Sequence, residues 1–379
     1  MRVGVITYCL GYNYGAMLQA YATIKAISAL GHEVQLVNYH HPWSFGLNSR
    51  DWRNYVGRSP RVVVYKLRTL YRQRELRKRF SPMWTLWPLT EYYGTDAEKL
   101  RKSPPKCDCY VTGSDQTWNT SYSRELFAPY FLDFGDDTIK RISYAASLGN
   151  VSFKEDDEAW IVGALKRYMA VSVREKGDVD YLKSLGVEGV VQMPDPTMIV
   201  SRSVYDELIA GEPHKKYSAV VYMLGGKDRE KEALISRMLT DNGILLNDTL
   251  NIELQSFHCK GATNKITTVA GWVDAIANAG IVVTNSFHAV VFSLIYGKPF
   301  VYVKFSGNKT KSNSRVESLL EGTPEQNRMI ELTADIDLST YMVEPNFETI
   351  LEGFRSKGNE YLRENIGIEA STRSVDVIT

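Results

Sequence analysis

The sequence predicts an α/β protein made of two successive halves, each an alternation of parallel strands and helices. Three observations predict it. A strand-helix-strand unit opens the chain, a second and clearer one spans Ile281 to Val303, and the length of 379 residues exceeds the size at which a single core usually keeps growing.

The later unit reads IVVTNSFHAVVFSLIYGKPFVYV. Ile281 to Thr284 is a β-branched run of the kind that forms a buried strand. Asn285 and Ser286 carry side-chain oxygens able to accept the first unpaired N–H groups of a helix beginning at Phe287. That helix should end near Gly297, because glycine takes the left-handed C′ conformation cheaply and Pro299 cannot continue the helix. Phe300 to Val303 is the next buried strand, so the piece is one β-α-β unit of a parallel sheet. His288 then falls in the first helical turn, beyond the carboxyl end of a strand, where open α/β sheets bind ligands. Unpaired N–H groups and the positive end of the helix dipole suit a phosphate or carboxylate there, and an imidazole beside it could exchange a proton with the ligand. The competing reading makes Ser286 a plain cap and His288 an ordinary helix residue.

At the start of the chain, Val3 to Thr7 is a strand and Tyr8 to Gly15 a loop. A helix with apolar Met17, Tyr21, Ile24 and Ile27 follows, Gly31 closes it, and Glu33 to Asn38 is the second strand. The loop, CLGYNYGA, lacks the three-glycine spacing of a dinucleotide fingerprint, which excludes a nicotinamide or flavin reading. Asn13 and Gly15 precede a helix N-terminus, and serve either a ligand's approach to the backbone or a simple turn.

From Arg58 to Arg79 there are nine Lys or Arg residues against the single acid Glu75. Val63, Leu67, Leu70, Tyr71 and Leu76 fall largely at helical intervals, which predicts a basic amphipathic helix over about residues 58–80. Such a helix either lies on anionic lipid or presents a solvated charged face. Cys109 to Thr112 is a strand, and the GSDQTWN loop after it aims Ser114 and Asp115 at the ligand edge. Arg141 to Ser147 and Tyr168 to Val173 read as further strands. Arg174 ends the second, where its guanidinium either clamps an anion or pairs internally with Glu175 or another acid.

After Val190 to Met193, the prolines flanking Asp195 break regular structure, and a polar segment around Gly211 to Lys216 leads to a fresh strand from Ser218 to Leu224. The expected division is therefore an N-terminal domain over 1–210, a second over 211–345 and a helical tail over 346–379. The second half continues with a helix near Asp228 to Asp241, strand-like Ile244 to Leu246, a helix near Val273 to Ala279, and the His288 unit. Arg315 stands on the polar stretch SGNKTKSNSR, expected to loop over a cleft before the helix that includes Val316 to Leu320. Phe347 to Asn365 reads as helix.

An apolar fraction of 44% and a charged fraction of 23% are those of a globular protein, and a net charge of +1 argues against nucleic acid as a partner. Cys9, Cys107, Cys109 and Cys259 offer no zinc-ligand spacing, and the six histidines form no cluster with acids, so neither a metal nor another cofactor is expected. Met1 to Ile6 runs straight into a strand without a charged-then-apolar leader, and no apolar run approaches bilayer length. A cytoplasmic protein with reduced thiols is the expectation.

Six pieces, VGVITYCLGYNYGAMLQAYA, YVTGSDQTWN, ISYAASLG, SVREK, PDPT and VVTNSFHAVVFSLIYGKPFV, stand in the order and spacing of one family. From about Val3 to Leu320 the chain resembles the polysaccharide pyruvyl transferases. The resemblance implies two Rossmann-like domains facing a cleft, similar to the GT-B glycosyltransferases, with a C-terminal helix returning to the first domain. It implies transfer of a pyruvyl group from phosphoenolpyruvate to two hydroxyls of a sugar, giving a cyclic ketal and phosphate in cell-surface polysaccharide synthesis. The acceptor would be free, polymeric or lipid-linked, the last placing the protein at the inner face of the membrane.

By the same resemblance, His288 is the acid/base group, Arg174 an anion clamp, Arg315 a second clamp, and Ser286 with its helix N-terminus a phosphate or carboxylate holder. Asn285, Asn13, Gly15, Ser114 and Asp115 complete the expected substrate contacts. One departure stands out: the family's acid-Ser-Phe-His-Gly run appears here as Asn285-Ser286-Phe287-His288-Ala289. A nucleotide-sugar glycosyltransferase and an inactive glycan-binding relative are the alternatives.

Overall fold

The computed structural model describes residues 1–40, 60–121, 123–149, 151–333 and 335–368. The first sheet contains β1 (Arg2–Ile6), β2 (Glu33–Tyr39), β3 (Leu89–Gly94), β4 (Cys109–Thr112) and β5 (Lys140–Ser143), in the order β3-β2-β1-β4-β5. A two-stranded sheet of β6 (Ser172–Val173) and β7 (Val191–Gln192) follows it. The other large sheet contains β8 (Ala219–Tyr222), β9 (Thr249–Ile252), β10 (Thr263–Lys265), β11 (Val282–Thr284), β12 (Phe300–Val303) and β13 (Met329–Ile330), in the order β10-β9-β8-β11-β12-β13.

Every strand pairing described in the two large sheets is parallel. Both sheets reverse direction beside their first strand, between β1 and β4 and between β8 and β11. Those reversals open crevices at the carboxyl ends of the strands; the loops bearing Ser114 and Leu224 leave from there, as do the connections to the helices that begin with Gly15 and His288 in their first turns. The α/β alternation read from the sequence is therefore the fold.

The halves share one hydrophobic cluster. Tyr14 stacks on Trp272 at 5.5 Å and donates its hydroxyl proton to the Thr267 carbonyl at 3.0 Å, fastening the helix Tyr14–Ala29 of the first half to the second. The tail helix Glu348–Ile366 crosses back: Tyr361 Oη donates to the Ser143 carbonyl at 2.9 Å, and His32 Nε2 meets the Gly367 carbonyl at 2.8 Å.

Several local expectations change. The segment around Leu246 is a short 3₁₀ turn, and the strand comes after it, at Thr249–Ile252. The strands expected over Arg141 to Ser147 and Tyr168 to Val173 shorten to Lys140–Ser143 and Ser172–Val173. Arg315 lies within the helix Ser314–Leu320, not on the loop before it. The basic helix runs from Pro60 to Trp84; Arg58, the side chain of Val63 and the tail beyond residue 368 lie outside the described residues. No helix among the described residues is long and apolar enough to cross a membrane.

Candidate functional site

Asp195 is the hub of the site. The prolines on either side hold its backbone out of regular structure, and its side chain is fully buried. One carboxylate oxygen accepts from the Thr197 N–H at 3.0 Å and the Thr197 hydroxyl at 2.6 Å. The other accepts from Ser114 Oγ at 3.2 Å and Arg174 Nη1 at 2.9 Å, and lies 3.5 Å from His288 Nε2. Burial pushes the Asp195 carboxyl up, but His288, Arg174 and Thr197 outweigh it and hold it well below the usual carboxylate range.

Arg174 is paired internally, with Glu175 and Asp195, which is one of its two readings. Burial opposes its charge, yet Glu175 at 2.9 Å and Asp195 raise its pKa beyond the ordinary value. Its guanidinium also lies over the Phe287 ring, 5.1 Å from the centroid. Even so, Nη2 is buried with no hydrogen-bond partner among the described residues. Glu175 is pushed up by burial, but Arg174 brings it below the ordinary value. Asp178 next to it is pushed up to about 8, first by burial and then by the Glu175 charge.

His288 stands in the first turn of the helix Phe287–Ile295. One edge of its ring lies against Gly15: a Cβ built on Gly15 would come 2.0 Å from Nδ1 and 2.4 Å from Cγ. Its Nε2 is too far from Asp195 for a hydrogen bond and has no hydrogen-bond partner among the described residues. The first turns of two helices thus meet face to face, with the imidazole between them and the Asp195 carboxylate 3.5 Å from its Nε2.

Neither expected cap forms. Ser286 caps nothing with its side chain, and its N–H donates to Thr284 Oγ1 at 3.0 Å. Asn285 instead grips Leu224, accepting from its N–H at 2.6 Å and donating to its carbonyl at 2.9 Å. This clasp ties the β8 and β11 loops together at the switch point. It uses both ends of a carboxamide, so it explains why an amide stands where the resemblance leads one to expect an acid.

Arg174, Asp195, Phe287 and Arg315 line one cavity of about 310 Å³, closed on another side by Phe354 and Lys357 of the tail helix. Arg315 Nε, like Arg174 Nη2, is buried without a partner among the described residues. Burial and then repulsion from Arg174 lower the Arg315 pKa. Two guanidiniums lining one cavity, each with an unmet donor, are complementary to a multiply charged anion.

His288 is 8% exposed and adjoins this cavity through Asp195 rather than lining it. Ser114 is fully buried and serves Asp195. Asn13 caps the Tyr14–Ala29 helix through Ala16 N–H at 3.2 Å. Asp115 takes a left-handed backbone with φ of +77° and accepts from the Gln116 N–H; its charge adds to the rise at Arg174 and opposes, without reversing, the lowering at Arg315.

Sequence reasoning missed Asp195 as a site residue and treated its prolines only as breakers. The available signal was a carboxylate between two prolines, which no solvated turn requires. No group of His, Cys, Asp and Glu able to hold a metal occurs among the described residues.

Among solved structures, the chain is similar to UDP-GlcNAc 2-epimerase from Methanocaldococcus jannaschii, with a TM-score of 0.52 and 10% identity over 96% of this chain and 99% of that one. It is similar to UDP-GlcNAc 2-epimerase from Neisseria meningitidis bound to UDP-GlcNAc, with a TM-score of 0.50 and 9% identity over 97% and 99%. At such identity these likenesses concern the fold alone, the GT-B-like pairing of two Rossmann-like domains. No curated protein sequence matches the chain. The model of one family, polysaccharide pyruvyl transferase, matches residues 13–306, a stretch that contains Gly15, Arg174, Asp195 and His288 and stops short of Arg315. On that match, the chain belongs to the polysaccharide pyruvyl transferase family.

Proposed function

We propose that the protein transfers a pyruvyl group from phosphoenolpyruvate to two hydroxyls of a sugar during polysaccharide synthesis, releasing inorganic phosphate. The observation that carries this reading is the pair Arg174 and Arg315, two guanidiniums with unmet donors on one cavity. Phosphoenolpyruvate bears a carboxylate and a phosphate on one small carbon frame, and guanidinium N–H donors form charge-assisted hydrogen bonds with both kinds of oxygen. The uncapped first turn of the His288 helix adds further N–H donors.

The reaction needs a proton on the methylene carbon, which makes an oxocarbenium-like centre at the neighbouring carbon. One sugar hydroxyl attacks that carbon, phosphate leaves with the bridging oxygen, and the second hydroxyl closes the ketal. Of the two hydroxyl protons lost, one balances the new methyl hydrogen and the other leaves with phosphate. His288, 3.5 Å from the Asp195 carboxylate, is suited to deliver the first proton and recover one from the attacking hydroxyl. Because its Nε2 is buried, the cleft must open or the ring turn before it meets substrate.

The Asn285 clasp supports the active reading over the inactive-relative alternative, since the amide serves the backbone and leaves His288 in the first turn of its helix.

The test is phosphate release from phosphoenolpyruvate with galactose-, mannose- and N-acetylhexosamine-containing acceptors, comparing wild type with His288→Ala. Acceptor-dependent release that collapses in the variant is the expected result. Calorimetric preference for a nucleoside diphosphate over phosphoenolpyruvate would overturn the reading in favour of a nucleotide-sugar enzyme.

A further inference from the structure

The helix Pro60–Trp84 has two apolar faces. Leu76, Phe80 and Met83 are buried in the core, with Phe80 stacked 4.8 Å from Tyr14. On the opposite side, Leu67, Leu70 and Tyr71 are 61%, 57% and 69% exposed. Their i, i+3, i+4 spacing makes one strip, and the next residues along it, Arg74 and Lys78, are also exposed. Arg68 and Arg77 flank the strip. None of these four cations forms an ion pair among the described residues, whereas Arg72, turned towards the second half, pairs with Glu253 at 3.6 Å and bonds the Leu254 carbonyl at 2.6 Å.

A solvated charged face would have no reason to hold three adjacent large apolar side chains at more than half exposure. We propose that this strip docks the protein on an anionic phospholipid surface, with Leu67, Leu70 and Tyr71 entering the headgroup boundary and Arg68, Arg74, Arg77 and Lys78 meeting lipid phosphates. The chemistry is that of an interfacial amphipathic helix: apolar side chains supply burial, and long cationic stems keep their charges among the headgroups. Charge complementarity selects lipid over a second copy of this chain, because two such strips face to face would oppose four cations with four cations. The helix is rooted beside Tyr14, the neighbour of Gly15, so docking would hold the cleft near the membrane surface. The inference rests on this face alone, whichever reaction the cleft performs.

The test is sedimentation of the full-length protein with vesicles of phosphatidylcholine alone and of phosphatidylcholine with phosphatidylglycerol, in low and high salt. Wild type should partition onto the anionic vesicles, with binding weakened about tenfold or more by either L67E/L70E/Y71E or R74E/K78E and reduced by salt. Circular dichroism should show both variants folded, and phosphate release with a soluble acceptor should be unchanged in them. Wild type remaining in the supernatant would overturn the proposal, as would equal binding to neutral vesicles or undiminished binding of both variants. A wild-type dimer by light scattering that L67E/L70E/Y71E splits, without lipid binding, would overturn it in favour of an interface between copies.

Discussion

Gly15 and His288 are separated by most of the chain, yet a single added carbon on Gly15 would lie 2.0 Å from His288 Nδ1. The glycine is required by close approach, not by backbone angle. Gly15→Ala should favour the helix by about 1 kcal/mol in isolation but displace the imidazole. We expect phosphate release to fall by about a hundredfold, with thermal unfolding shifted by only a few degrees. Full activity would mean that the ring position is immaterial.

Asp195→Asn leaves Arg174 buried beside Glu175 alone and removes the carboxylate that lies 3.5 Å from His288 Nε2. Breaking a buried pair from one side costs about 3–5 kcal/mol, measurable by urea unfolding near neutral pH. The folded-state pKa of Asp195 is depressed, so its contribution is fully present above the unfolded value near ~4 and is lost as pH falls below it. The gap between wild type and variant should therefore narrow in acid. A gap that widens there would refute the pairing.

Asp178 has the opposite sign. Its carboxyl is pushed up to about 8 by burial and by Glu175, so the folded protein binds a proton that the unfolded chain has released. Between pH ~4 and about 8 that group makes stability fall as pH rises. Asp178→Asn keeps an acceptor for the Leu148 N–H, now bonded at 3.0 Å, and offers Glu175 a donor without a charge. The variant should gain ~1 kcal/mol or more at pH 8 and little at pH 4, read from unfolding curves at both.

Asn285→Asp would keep the acceptor for the Leu224 N–H and lose the donor to its carbonyl. A carboxylate facing a carbonyl should cost about 1–3 kcal/mol and loosen the switch-point loops. The measurement is the melting temperature with the acceptor-dependent rate; a more stable Asp variant would show that the clasp is not what holds this amide.

Arg315→Gln removes one of the two guanidiniums on the cavity while keeping a polar side chain. We expect KM for phosphoenolpyruvate to rise about tenfold or more, with KM for the acceptor unchanged. A rise confined to the acceptor would move Arg315 to the sugar side of the cleft.

The sequence by itself determined the alternation of strand and helix, the β-α-β unit that puts His288 at a helix N-terminus, and the helical character of the tail. These follow from periodicity and end signals that span a few residues, which any local window carries. It did not locate β9, because the apolar Ile244 to Leu246 reads as strand while Asn251 inside the real strand does not. Asn251 is tolerated there because its Nδ2 donates to the Phe257 carbonyl and to Asn264 Oδ1.

The site's electrostatics were decided only by the tertiary structure. Asp195 draws its partners from Ser114, Arg174 and His288, far apart in the chain, and Asn285 finds its match 61 residues away at Leu224. A buried charge or amide must be satisfied by whatever the packing brings to it, and no local pattern records which residues those are.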